Sequence, residues 1–248
     1  MAWRAADLAA SLDAVIGPDP TDLRSLPTPE ASWRRAVDDP GVPLRVAWSP
    51  TLGYSRVDSE ILDICARGVA RLADLGAEVV EVPNVFDTDP VFDWIALEAG
   101  YLARTLAAVR DTPAWDDVTP ELRALVESLA PPDAVRFITA EDACHTLNLR
   151  LVDVFRDARL LVTPTVAGQT PVCGRQGTID GVEEISWVSF TYPFNMTRSP
   201  AGTVCVGRTR DGLPVGLQLV GPQHADLVVL RAMAAREEAL DFRDRPEL

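Results

Sequence analysis

The side chains that most often act as bases or nucleophiles in enzymes are few in this chain of 248 residues. Its histidines are His145 and His224, and all 23 basic residues are arginines. A serine or cysteine nucleophile needs a neighbouring group that takes up its proton. Because the chain contains no lysine, these 248 residues exclude any mechanism that uses their own lysine amine as that base.

Neither histidine is placed by the sequence in a recognisable catalytic arrangement. His145 falls inside a predicted helix, and His224 follows Gly221-Pro222 just before the last helix. Cys144 adjoins His145, but consecutive residues of a helix point in different directions. The chain also lacks the G-x-S-x-G turn that presents the serine of many hydrolases. The residues alone therefore predict no catalytic group in this chain.

The four cysteines show no pattern typical of a metal or redox site. Cys65, Cys144, Cys173 and Cys205 include no C-x-x-C pair, so we expect buried free thiols, with no metal cluster and no disulfide framework. No glycine-rich phosphate-binding motif occurs. The sequence therefore predicts neither a metal nor a cofactor.

Composition and charge limit the classes of partner. A hydrophobic content of 47% and a mean hydropathy of +0.05 are typical of a globular domain with a core. The net charge of −14 disfavours nucleic acids and anionic membranes, which are themselves polyanions. No apolar stretch is long enough to cross a bilayer, and the N-terminus lacks the pattern of a signal peptide. We expect a cytoplasmic protein.

The elements that would position functional groups form an α/β pattern. A strand at 44–49, a helix at 58–75 that Asp58 can cap, and a strand at 77–83 predict a parallel βαβ unit. Asp211-Gly212 predicts the turn between two antiparallel strands. Residues 17–43 predict a long surface connection. The other predicted elements are helices at 5–16, 90–110, 119–130, 139–159 and 226–240, and strands at 159–165, 203–207 and 215–220.

Three stretches resemble the amidase signature family. The first is the opening helix and its end, "LDAVIGPDPTD"; the second is "LLVTPTVAGQTPV" from residue 160. The third and most specific is "FTYPFNMTRSPAGTVCVGRTRDGLPVGLQLVGP", residues 190–222, which is similar to the C-terminal signature of the family. The order and spacing of these motifs are typical of that family along nearly the whole chain.

The resemblance implies a large mixed β-sheet between two layers of helices, and hydrolysis of carboxamide C–N bonds. The family's catalytic set is a serine, a second serine joined through a cis peptide, and a lysine base, with backbone N–H groups for the oxyanion. These residues lie in the first half of the family pattern. Residues 1–248 therefore resemble the C-terminal portion of one amidase domain. We expect an incomplete α/β sandwich that is inactive by itself.

The resemblance also implies where a substrate would contact this portion. Ile185, Val188 and Tyr192 recur at helical spacing, and a helix there would present them together toward the amide substrate, unless all three are ordinary core residues. Gln218 is interpreted as a buried hydrogen-bonding residue, and the loop 164–181 as a further candidate for the pocket rim. Arg198 occupies a position that is often glycine in the family. Its presence changes the local backbone or places a charge near the pocket mouth.

Two other functions remain open at this point. The chain could be part of the amidase subunit of a tRNA-dependent amidotransferase, or a truncated, non-catalytic product that binds a partner. A small amide substrate is expected only if the N-terminal catalytic part is present. Loss of one face of a core costs many kcal/mol against a net stability of about 5–15 kcal/mol. We therefore expect a separate N-terminal amidase fragment, or a second copy of the chain, as a stabilising partner.

Overall fold

The computed structural model describes residues 2–240 and builds them around a five-stranded sheet. The helices are α1 (Ala5–Val15), α2 (Trp33–Ala36), α3 (Ser59–Asp74), α4 (Val91–Leu106), α5 (Pro120–Ser128), α6 (Ala134–Asp157), α7 (Tyr192–Thr197) and α8 (Asp226–Leu240). The strands are β1 (Arg45–Trp48), β2 (Glu78–Glu81), β3 (Leu160–Pro164), β4 (Thr178–Ile179), β5 (Val182–Glu183), β6 (Ala201–Arg208) and β7 (Pro214–Val220). Two short 3₁₀ helices span Pro113–Asp117 and Ile185–Val188.

The main sheet is mixed, in the order β2-β1-β3-β7-β6. β1 runs parallel to both β2 and β3, whereas β7 is antiparallel to β3 and to β6. The predicted βαβ unit and the predicted C-terminal hairpin are both confirmed. The fold class is therefore the α/β class expected from the sequence, with the antiparallel pair at one edge.

Helix α3 shows how local sequence sets an element. The buried Asp58 side chain accepts hydrogen bonds from the N–H groups of Glu60 at 3.0 Å and Ile61 at 3.3 Å, as expected of an N-cap. One face of the helix is apolar and buried. At the other end Gly76 adopts φ +93°, a left-handed conformation that ends the helix.

Two glycines allow helices to approach β6 closely. A Cβ at Gly68 of α3 would lie 2.9 Å from the Val206 Cβ, and a Cβ at Gly202 would lie 2.3 Å from the Met233 sulfur of α8. Both distances are shorter than real Cβ contacts allow, so a larger side chain at Gly68 would meet a Cβ fixed to the strand, and one at Gly202 would require the buried Met233 side chain to move.

The sheet is covered unequally on its two faces. α1, α3 and α8 pack on one face, and α4, α6 and α7 pack on the other. On this second face Ala201 and Thr203 of β6 are exposed, so the helical cover ends at β7 in the part of the chain that the structure describes. The sandwich is therefore incomplete, as the resemblance implied.

Three segments differ from the sequence expectations. The connection 17–43 is mostly irregular but contains α2, whose Trp33 is buried and donates its backbone N–H to the Asp13 carboxylate at 2.8 Å. α6 begins at Ala134 rather than near residue 139, because Asp133 caps it through the Arg136 N–H. The loop after β3 contains the small hairpin β4–β5.

The cysteines differ in their burial. Cys65 is buried as predicted, whereas Cys173 is exposed. Burial raises the pKa of the Cys65 thiol to about 12.

Of the helices within residues 2–240, none has both the length and the apolar character needed to cross a membrane.

Candidate functional site

The site begins at the carboxyl ends of the parallel strands. In the main sheet β1 lies between β2 and β3. The strand order therefore reverses between β1 and β3. In open α/β sheets, ligands bind outside the carboxyl ends of strands where the strand order reverses in this way. The loop that follows β1 therefore lies at a position suited to a site.

The loop after β1 is tied to the segment before α7. The Tyr54 hydroxyl donates to the Ser189 carbonyl oxygen at 2.7 Å, and the Ser55 hydroxyl donates to the Ser189 hydroxyl at the same distance. Ser55 and Ser189 are buried. These bonds hold two distant parts of the chain together as one wall.

Tyr192, at the start of α7, extends this wall to Asp89 and Trp94. Its hydroxyl donates to Asp89 Oδ1 at 2.6 Å, and the same oxygen accepts the Val91 N–H at 3.0 Å. The Trp94 ring stacks on the Tyr192 ring, with centroids 5.3 Å apart and planes at 20°. Burial, followed by the bond to Asp89, raises the pKa of Tyr192. The phenol therefore remains a protonated donor and orients Asp89 and Trp94.

Beyond Trp94 a cleft of about 230 Å³ opens between α4, α6 and α7. Its lining combines an aromatic ring and aliphatic groups with polar and charged groups of both signs. The lining residues are Arg24, Trp94, Leu97, Glu98, Tyr101, Glu141, Cys144, Asn195, Met196 and Arg198. This arrangement can hold a small molecule by stacking and by hydrogen bonds.

From the sequence, Arg198 was expected either to change the local backbone or to place a charge near the pocket mouth. In the structure it does both. It adopts φ +56° and ψ 28°, the left-handed conformation, at the end of α7. Its side chain also lines the cleft beside Cys144. Burial is the largest cause that raises the pKa of the Cys144 thiol, and Glu141 adds to it, whereas the Arg198 charge opposes the rise. The pKa of Cys144 is raised overall, so the thiol is not an activated nucleophile.

The three residues predicted to share one helical face are split between two elements. Ile185 and Val188 lie in the 3₁₀ helix, where Ile185 is 59% exposed and Val188 is half-buried, whereas Tyr192 begins α7 and is buried. The expectation of a single helix was therefore wrong. Pro193 at the second position of α7 has no N–H and a fixed φ, which favours a new helix start there. Of the three, Tyr192 is joined to the cleft, through Trp94.

The other two sequence candidates have structural partners. Gln218 is buried and donates to the Thr163 hydroxyl at 3.1 Å and to the Phe190 carbonyl at 3.0 Å, which confirms its interpretation as a satisfied core residue. In the loop 164–181, the Asp180 N–H donates to Asp58 at 3.0 Å. This bond holds the loop against the start of α3, and no residue of the loop lines the cleft.

Sequence reasoning missed Tyr54, Asp89 and Trp94. Asp89 carried a weak signal, because it comes just before a predicted helix and can accept a helix N–H. Trp94 and Tyr54 carried none, since their roles depend on contact with Tyr192 and Ser189, far away in sequence.

Comparison with known proteins identifies relatives of this chain. A family model described as Amidase matches residues 1–230. The chain is 33% identical to an acylamidase of Rhodococcus erythropolis, with 97% of this chain and 51% of that protein covered. It is 26% identical to a component of the glutamyl-tRNA(Gln) amidotransferase of Novosphingobium aromaticivorans, with coverages of 99% and 54%.

A solved structure shows the same fold. A bacterial aryl acylamidase of the amidase signature enzymes superimposes with a TM-score of 0.82 at 24% identity, covering 95% of this chain and 51% of that one. The chain thus spans about half the length of the curated relatives it matches. Because the family model matches residues 1–230 of the 248, this chain belongs to the amidase family.

Proposed function

We propose that this chain is the C-terminal half of an amidase domain that hydrolyses carboxamide C–N bonds. In this proposal it supplies the wall of the substrate pocket and not the catalytic groups. The single observation that carries it is the wall of Tyr192, Asp89 and Trp94 beside the cleft, in a chain of the amidase family. The cytoplasmic location stays a prediction of the sequence.

The chemistry of the cleft supports an acylated amine as substrate. Trp94 and Leu97 offer apolar surface for an acyl or aryl group, and the Asn195 amide offers a hydrogen bond to a carbonyl. The identity to an acylamidase agrees with that choice. Tyr192 acts as a positioning residue, because it holds Trp94 by stacking and Asp89 by a hydrogen bond.

The cleavage step in this proposal belongs to residues outside the chain. The family mechanism needs a lysine base, and no lysine occurs in the 248 residues. Removal of the base, the nucleophile and the oxyanion donors together leaves none of that covalent catalysis. We therefore expect the isolated chain to bind amides weakly and to cleave none.

β6 is the proposed place where an N-terminal amidase fragment joins. Among the described residues this strand of eight residues is an edge of the main sheet and pairs with β7 on one side, and Ala201 and Thr203 are exposed on the sheet face that α4, α6 and α7 cover. An edge strand of this length favours addition of another strand beside it. The fragment would complete both the sheet and the pocket.

A chimera tests the proposal. The N-terminal half of the Rhodococcus acylamidase is fused ahead of this chain, and hydrolysis of an aryl acylamide is measured. We expect activity in the chimera and none in the isolated chain. Trp94→Ala should raise KM by about tenfold. Phe92→Ala on the same helix is the control, because this exposed ring lies outside the cleft lining and its loss should leave KM unchanged.

The amidotransferase relative supports a second candidate, the amidase subunit of a tRNA-dependent amidotransferase, for which we propose glutamine as the amide substrate. The same chimera distinguishes the two, because glutamine and the aryl acylamide can be offered separately. Hydrolysis of glutamine alone would favour the second candidate. A folded chimera that cleaves neither amide would favour a non-catalytic, partner-binding product.

A further inference from the structure

Helix α6 exposes a regular apolar stripe on the side away from the sheet. Val135, Ile138, Leu149 and Val152 are 75%, 59%, 64% and 46% exposed. Together with the exposed Asp142 and His145, these residues are spaced alternately three and four positions apart along the helix. That spacing is the seam of a coiled coil, in which a helix packs along a second helix.

Polar groups occupy the middle of this stripe. Asp142 and His145 are both exposed and lie one turn apart on the same face. A carboxylate accepts hydrogen bonds and an imidazole N–H donates one. Any helix that covers the stripe therefore has to satisfy one acceptor and one donor at its centre.

We propose that the stripe binds the same stripe of a second copy of this chain, with the two α6 helices antiparallel. With the two-fold axis between residues 143 and 144, Val135 faces Val152 of the second copy and Ile138 faces Leu149 of the second copy. Asp142 then faces His145 of the second copy, and the reverse pair forms on the other side of the axis. Every polar group in the seam receives a complementary partner.

The alternatives leave these polar groups unmatched. A parallel pair would place Asp142 against Asp142 and His145 against His145. A purely apolar partner helix would bury both groups unsatisfied, at an energetic cost. A self-complementary pattern about a two-fold axis is what an isologous dimer requires.

This surface is distinct from the proposed substrate site. Glu141 and Cys144 of α6 line the cleft, whereas the residues of the stripe do not. The seam is about 26 Å long and small, because each copy contributes four apolar side chains. We expect weak, transient association, with a dissociation constant on the order of micromolar.

Sedimentation velocity of the 248-residue chain across concentrations around that constant measures the association. We expect a concentration-dependent dimer. Leu149→Glu places a carboxylate against Ile138 of the second copy and should weaken the dimer by ~10-fold or more. Val172→Glu is the matched control, since Val172 is similarly exposed but lies in the loop after β3. Circular dichroism checks that each variant folds.

The exchange of the central pair tests the antiparallel register. Asp142→His and His145→Asp should each weaken the dimer, because each creates like pairs, and the double exchange should restore it. A chain that is monomeric at all concentrations would overturn the proposal, as would a dimer that Leu149→Glu leaves intact. A double exchange no tighter than its two single variants would overturn the antiparallel arrangement.

Discussion

Replacement of Tyr192 by phenylalanine measures how strongly the pocket wall is held. The change removes one oxygen, and with it the hydrogen bond of 2.6 Å to Asp89 Oδ1. A hydrogen bond to a charged group contributes about 1.5–3 kcal/mol. Asp89 is exposed and keeps its bond to the Val91 N–H, so water can replace part of the loss. We therefore expect the free energy of unfolding to fall by about 1–1.5 kcal/mol.

Urea unfolding of the 248-residue chain gives this number directly from the shift of the midpoint at constant m. Tyr101→Phe is the matched control. Its hydroxyl lies 3.5 Å from a Glu141 carboxylate oxygen and is partly exposed, so its removal should cost under about 0.5 kcal/mol.

A double-mutant cycle with Asp89→Ala assigns the loss to the pair. If the hydrogen bond carries the effect, the two changes are non-additive by about 1 kcal/mol. Equal losses for Tyr192→Phe and Tyr101→Phe, or full additivity with Asp89→Ala, would refute the role given to this bond.

Three further substitutions test other parts of the fold by the same unfolding assay. Arg198→Gly should raise the free energy of unfolding by about 1 kcal/mol, because glycine adopts φ +56° without strain; an unchanged value would show that the arginine side chain compensates. Gly202→Ala should lower the free energy of unfolding by about 1–3 kcal/mol, because the new Cβ would lie 2.3 Å from the Met233 sulfur. Gly41→Ala is the control and should change this free energy little, because its Cβ would meet nothing closer than 3.9 Å. Burial raises the pKa of Glu237, so the folded chain binds a proton that the unfolded chain has lost, and stability declines as pH rises from near 4.5 through the raised pKa. Glu237→Gln should remove that part of the decline, and an identical pH profile in the variant would contradict it.

Local sequence patterns predicted most of the elements. The period of α3, the cap at Asp58 and the turn at Asp211-Gly212 are determined by residues only a few positions apart. Such local signals did not predict where one helix ends and the next begins within 185–197. The break between Val188 and Tyr192 divides one predicted helix into two elements, because Pro193 starts a new helix while the Ser189 hydroxyl is bonded to Ser55.

The sequence by itself determined the family, the α/β class and the absence of a lysine base, because motifs, periodicity and composition are properties of short stretches or of the whole count. Tertiary structure alone decided which residues form the pocket wall. Tyr192 and Asp89 are 103 positions apart, and Tyr54 and Ser189 are 135 apart. Contacts over such separations depend on how the helices pack against the sheet, and no local pattern records that packing.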